Sequence, residues 1–367
     1  MVAADEETQT RERPEDVWRR CERFLGSRPR GKPAEVLAAL AGAAEQDEIG
    51  DQYGSGEVVA AFEAEVAAIL GKEAAVFMPS GTMAQQIALR IWSEQKGTRT
   101  VAFHPMTHLE THEEKAYQML HGLHAILVGD RNRLLTREDL DAVAEPIAAL
   151  LLELPQRDIG GQLPAWDDLI AQVDWAHERG AFVHMDGARL WETAPFYRRS
   201  YAEIAAPFDS VYVSFYKTLG ALAGAMLAGP NAFIKEARVW RRRHGGDLFQ
   251  FYPYVISART QLHTQLDRIP EFVERAQALG EVLAGIEGVR VQPDPPQTNM
   301  MHVFLAGERE QLLQRAQEIA HEDRVLLFRR LTPTDVPGWC MVELAISDDA
   351  PGLSADEVRA YMTRLLA

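Results

Sequence analysis

Along most of this chain, short apolar runs of strand length alternate with stretches whose apolar residues recur at helical spacing. Residues 33–44 and 57–70 are of the second kind. In the latter, Val58, Phe62, Val66 and Ile69 fall on one face, so both stretches predict helices. The apolar segment 74–78 leads into a helix-like run through Trp92, and further apolar runs follow at 100–103, 125–129, 148–152, 181–185, 211–215 and 223–229. Near-continuous hydrophobicity over strand length is the pattern of strands buried on both faces. Helical patterns such as 166–179 separate them, which predicts an α/β fold with a mainly parallel sheet covered by helices. After Gly229-Pro230 come a basic helix at 232–243 and a long helical stretch at 257–286. Strands near 289–291, 301–304 and 341–346 then predict a smaller α+β part. The expected division is a disordered opening at 1–15, rich in charge and Thr, a large domain at 16–270 and a small C-terminal domain at 271–367. No internal repeat or low-complexity segment is visible.

Composition narrows the setting. The 367 residues are 47% hydrophobic and carry a formal net charge of −16, which makes nucleic acid and anionic membranes poor partners. Cys21 and Cys340 stand far apart and give no disulfide framework, as in a reducing cytosol. The polar opening at 5–15 has no apolar leader, and no stretch reaches transmembrane length, so the expected location is the cytoplasm.

Three places carry candidate chemistry. At Val183-His184-Met185-Asp186-Gly187-Ala188-Arg189, an apolar run ends in an acid and a glycine, as where a buried strand gives up its carboxyl end to a ligand crevice. A carboxylate there can hold a pyridine nitrogen protonated. At Ser214-Phe215-Tyr216-Lys217 a second apolar run ends in a lysine, whose partial desolvation would free its amine for imine exchange. Pro79-Ser80-Gly81-Thr82 opens a helix, where unpaired first-turn N–H groups, the dipole and hydroxyls make an anion cradle. Each has a plainer account: an Asp capping a turn, a solvated loop lysine, an ordinary Ser-capped helix. Together they read as a pyridoxal phosphate site.

With these residues the chain resembles the threonine aldolase and β-eliminating lyase family, fold type I enzymes that use pyridoxal phosphate. The likeness runs from about Ser27 to the C-terminus. It rests on Gly50-Asp51-Gln52-Tyr53-Gly54, the stretch 63–82, Thr107-His108-Leu109-Glu110-Thr111-His112-Glu113, "HMDGARLWE" and "SFYKTLGALAG". The resemblance implies Gly81 and Thr82 on the phosphate, His108 stacked on the cofactor ring, Asp186 on the pyridine nitrogen and Lys217 as the internal aldimine. It also implies Arg189 near the substrate carboxylate, Ser27 at the substrate end, and a homodimer or homotetramer with shared sites. His104, His108 and His112 have a spacing that would also align on one helical face as metal ligands, but Pro105 interrupts that turn and no Cys is near.

The chain departs from that family in three places. Where its threonine aldolases read Arg-Phe-Val-Thr-His, this sequence has Glu343-Leu344-Ala345-Ile346-Ser347, so the arginine clamp for the substrate carboxylate is missing. Arg157, at a strand end that usually reads Glu-Asn-Thr, is the nearest replacement cation; otherwise it is a surface-loop arginine. In Arg241-Arg242-Arg243 through Phe249, Arg242 falls where a neighbouring subunit gives a Lys to the phosphate, and Phe249 stands where it gives an Arg. The expected activity is retro-aldol cleavage of a β-hydroxy-α-amino acid other than simply threonine. Lys217, His108 and Asp186 would be its catalytic residues. β-Elimination, aminotransfer or racemisation stays open within the same cofactor class, and a non-catalytic relative outside it.

Overall fold

The computed structural model describes residues 13–27, 31–347 and 352–367, so most of the expected disordered opening lies outside the described residues. A two-residue strand comes first, β1 (Arg23–Phe24). Seven strands follow: β2 (Ala74–Met78), β3 (Thr100–Phe103), β4 (His124–Leu127), β5 (Ala149–Glu153), β6 (Phe182–Gly187), β7 (Ser210–Ser214) and β8 (Ala225–Gly229). The C-terminal part adds β9 (Val289–Gln292), β10 (Met300–Ala306), β11 (Val325–Leu326), β12 (Thr332–Pro333) and β13 (Trp339–Ala345).

β2 to β8 form one sheet in the order β2-β8-β7-β6-β5-β3-β4. The run from β7 to β4 is parallel, and β8 pairs antiparallel with both β2 and β7. β5, β7 and β8 are buried along their whole length, which is why their sequences read as unbroken apolar runs. β4, at the edge, has both ends exposed.

The helix Gly81–Lys96 covers one face of this sheet, burying Ala84, Ile87, Ala88 and Ile91 at helical spacing. Ser80 caps it by accepting from Met83 N–H, and Gly97, at φ 74°, ends it in the left-handed conformation that glycine adopts without steric cost. Trp92 stacks between Phe182 and Phe233, with ring centroids 4.1 and 4.4 Å away, and so pins the helix to the sheet.

Two expected elements take a different form. The helical stretch at 257–286 is two helices, Tyr252–Gln265 and Ile269–Ala284, joined by a single tighter turn. Pro270, which has no N–H to donate, sits in the first turn of the second helix, where none is needed. β6 reaches past the apolar run to Asp186 and Gly187, because the backbone ladder continues through Asp186 with β5 and through Gly187 with β7.

The smaller sheet is antiparallel, in the order β12-β13-β10-β9, with the helix Ile269–Ala284 against β9 and β10. The first described residues join this part of the molecule. β1 pairs in parallel with β11, and the helix Pro14–Trp18 packs on the helix Arg309–Asp323. Ser27 is thereby carried to the end of β13, a position hidden in the sequence because the partner lies some three hundred residues away.

Candidate active site

The carboxyl ends of β5, β6 and β7 deliver Glu153, Asp186 and, three residues beyond its strand, Lys217. Asp186 is 1% exposed. One of its oxygens accepts from the Gln85 side-chain amide and the other from Ala188 N–H at 3.1 Å. Each oxygen keeps a lone pair, so the buried carboxylate can take one more donor. Gly187 is required behind it: a Cβ there would meet the Tyr212 carbonyl oxygen at 2.6 Å.

Ser214 ties the two strand ends together. Its hydroxyl donates to Ala188 O at 2.7 Å, and its carbonyl accepts from the Trp191 indole at 2.9 Å. Lys217 is half-buried, and burial together with the nearby Arg189 guanidinium pulls its proton affinity below that of a free lysine, against the opposite pull of Asp186 and Glu153.

Glu153 organises the neighbouring turn. It accepts from the backbone N–H groups of His108 and Arg157 and from the Gln156 side chain, each at 3.1 Å. Burial first, and then the Asp186 charge, push its carboxyl well above the usual carboxylate range. His108 begins the short helix His108–Thr111, and its Nδ1 lies 2.9 Å from Glu113 Oε1. Glu113 is buried, so it fixes the orientation of the His108 ring, whose Nε2 makes no hydrogen bond among the described residues.

As the interruption at Pro105 suggests, the three histidines do not align on one helical face. Beyond Pro105 the chain turns, and His104 Nε2 lies 2.9 Å from the carbonyl oxygens of both Asp130 and Arg133, away from His108.

At the head of the helix Gly81–Lys96, the N–H groups of Gly81 and Thr82 have no partner among the described residues. Gly81 is fixed by packing: a Cβ there would stand 1.9 Å from the Tyr212 hydroxyl. That hydroxyl bonds to Tyr216, the neighbour of Lys217, which brings the helix head and the lysine to one place.

The outer rim comes from three parts of the chain. Arg189 is half-buried, and its side chain makes no hydrogen bond or ion pair among the described residues. Arg157, on the short turn Arg157–Ile159, is paired on two sides: its Nε lies 2.9 Å from Glu343 Oε2, and its terminal nitrogen 3.2 Å from both Asp158 and His112. Arg157 is thus no free surface-loop arginine. Glu343 is exposed; it faces His302 of β10 in register, while β12 pairs only with Cys340 and Met341 of β13 and stops short of it. Ser27 donates its hydroxyl to Ala345 O at 2.8 Å and accepts from Ser347 N–H at 2.9 Å.

The triple-arginine run divides in function. Arg241 is buried, paired with Asp247 at 2.7 Å and bonded to Phe77 O, so it is structural. Arg242 is largely exposed and reaches only Asp247, at 2.9 Å, while Phe249 and Tyr53 stand half out of the surface edge to face. Arg242 therefore touches none of its own chain's site residues among the described contacts.

Gln85 and Glu153 escaped the sequence reading as site residues. Gln85 had one signal, its place one helical turn after Gly81 on the face turned to the sheet.

Residues 31–306 match the β-eliminating lyase family. The chain is 31% identical over 304 residues to Aldolase vrtJ of Penicillium aethiopicum, covering 78% of this chain and 76% of that one. It is 28% identical over 282 residues to a probable low-specificity L-threonine aldolase of Arabidopsis thaliana, covering 74% and 79%. Among solved structures, a candidate L-allo-threonine aldolase from Listeria monocytogenes is 40% identical and superposes with a TM-score of 0.90, covering 96% of this chain and 98% of that one. The protein is an enzyme of the threonine aldolase and β-eliminating lyase family, with the α/β fold that family shares.

Proposed function

We propose that the protein is a pyridoxal phosphate-dependent carbon–carbon lyase that cleaves a β-hydroxy-α-amino acid between Cα and Cβ, giving glycine and an aldehyde. The observation that carries this reading is the meeting of a buried acceptor carboxylate, a half-buried lysine of lowered proton affinity and an unpaired arginine at adjoining strand ends. The residues suit the cofactor. Gly81 and Thr82 offer free N–H groups to its phosphate, Asp186 a lone pair to its ring N–H, Lys217 an amine to its aldehyde and His108 a ring to stack on it. When bound, pyridoxal phosphate supplies an electron sink for the pair left as a bond at the substrate α-carbon breaks.

The rest falls to the chain's own side chains. Asp186 keeps the proton on the ring nitrogen, because a charged acceptor in a buried place favours the charged donor. Arg189 receives the α-carboxylate, and so decides which bond at Cα stands across the ring plane. His108, its Nδ1 held by Glu113, takes the β-hydroxyl proton at Nε2, directly or through a water it orients. Ser27 and Arg157 complete the substrate end. Arg242, pointing outward beside the exposed Phe249 and Tyr53, serves the phosphate of a neighbouring subunit in a homodimer or homotetramer. Cys21 and Cys340, both buried and unlinked, suit a reducing cytoplasm.

The substrate is not simply threonine. Glu343 stands where the family's threonine aldolases keep a cation, and Arg157 is already held by it and by Asp158. The test is a screen of β-hydroxy-α-amino acids with glycine and aldehyde measured as products, alongside pyruvate and ammonia, the products of β-elimination from serine-like substrates. Glycine with an aldehyde from a substrate larger than threonine is expected. Pyruvate as the main product would assign the protein to β-elimination, and rapid threonine cleavage would remove the meaning given to Glu343.

A further inference from the structure

Beneath Lys217 lies an acid that the reaction above leaves unused. Glu192 ends the single turn Leu190–Glu192 and has no exposed surface. Its Oε1 accepts from the hydroxyl of Thr218, the residue that follows Lys217, and its Oε2 has no partner among the described residues. Asn299 Nδ2 approaches the same Thr218 oxygen at 3.3 Å and donates to Ile346 O at 2.7 Å, while Asn299 Oδ1 is also buried and unpartnered. The cluster thus encloses two acceptor oxygens with no donor between them. An orphaned buried acceptor costs about 1–3 kcal/mol, so a proton on the carboxyl relieves the cluster.

Charged groups face Glu192 from three sides. Arg189 lies one turn before it, Lys217 follows β7 and Glu343 comes from β13. The Tyr201 hydroxyl is near too, spent on Trp191 O at 2.9 Å. Burial raises the proton affinity of Glu192, while Arg189, the Thr218 hydroxyl and Lys217 lower it; the outcome is about 7. The carboxyl therefore changes charge near neutrality, beside the lysine. Lys217 itself faces Arg189 and Arg157 as cations and Asp186 and Glu153 as acids.

We propose that Glu192 is a positioning acid that sets the proton affinity of Lys217: neutral below neutrality, it leaves Arg189 free for substrate, and above neutrality its charge keeps the lysine nitrogen protonated. The inference rests on Lys217 being the cofactor-bearing lysine. The test is a pH titration of the visible absorbance of the holoenzyme without substrate. Glu192→Gln keeps the shape and an acceptor for Thr218 but cannot gain charge, so the absorbance midpoint is expected to fall by about half a unit or more. Glu192→Asp should restore most of it. Thr218→Val, which withdraws the hydroxyl that stabilises the carboxylate, should move the midpoint the same way by less, and it decides the matter if the Gln variant binds no cofactor. An unchanged midpoint in every variant that binds cofactor overturns the proposal. Failure of the reading beneath it looks different, because the unmodified holoenzyme would then show no borohydride-sensitive absorbance to titrate.

Discussion

The floor of the site and its rim are built in opposite ways. On the floor, the chemistry-bearing groups are held by fixed hydrogen bonds: Asp186 by Gln85 and Ala188, Glu153 by three donors, and His184 Nδ1 by Ser210, whose oxygen also accepts from the Trp92 indole at 2.8 Å, while Gln85 Oε1 and His184 Nε2 have no partner among the described residues. These residues stand on adjoining parallel strands, where the backbone ladder sets each position. On the rim, residues from Ser27, from the turn after β5 and from β13 meet across the boundary between the two sheets. Arg189 is unpaired there, and Arg157 and Glu343 neutralise each other. A rigid floor suits a cofactor that every turnover reuses. A rim of opposed charges suits selection among substrates, since one exchanged side chain changes what it holds.

If that contrast is right, damage to the floor should strike turnover and damage to the rim should strike binding. The largest effect is expected from Asp186→Ala, with kcat falling on the order of a thousandfold while the cofactor still binds. Steady-state kinetics at saturating cofactor would show this, and a kcat within a few-fold of the unmodified enzyme would remove Asp186 from the mechanism. Arg189→Ala should instead raise KM about 10- to 100-fold with a smaller change in kcat, the loss expected for a charged hydrogen bond to a carboxylate. Glu343→Arg, measured as the ratio of kcat/KM for threonine to that for the best substrate, should shift preference toward threonine by about tenfold. No shift would mean that the rim does not read the carboxylate through this position.

The last effect concerns stability, leaves the chemistry untouched and belongs to the floor. His184 is fully buried, and burial pushes its proton affinity down to about 4. The unfolded chain takes up this proton below about 6.5, whereas the folded protein resists until about 4, so stability is present above 6.5 and is lost as pH falls through that window. The full contribution is about 3 kcal/mol, and His121, buried and similarly lowered, adds in the same direction. A His184→Asn variant should show a shallower drop in Tm between pH 6.5 and 4. An identical drop would show that the ring is already charged in the fold.

The same contrast decides what could be read from the sequence. The floor was legible because strand-length apolar runs ending in Asp186 and before Lys217, and a Ser-Gly-Thr helix start, are local signals of buried parallel strands and an anion cradle. The rim was legible only as a departure at Glu343 and a candidate at Arg157. That the two pair as ions depends on the packing of two sheets, which no local pattern records. The pairing of β1 with β11 was hidden for the same reason, and Gln85 and Glu192 because a buried polar side chain is spelled like any exposed one. The break at 266–268 within an expected single helix had a local signal in Pro270.

The central claim is that Lys217 carries the cofactor, and one measurement addresses it most directly. Holoenzyme treated with borohydride, digested and analysed by peptide mass spectrometry should carry a reduced pyridoxal phosphate adduct on the peptide that contains Lys217, and Lys217→Ala should carry none. An adduct on another lysine, such as Lys72 or Lys235, or no adduct in an enzyme that remains active, would contradict the account.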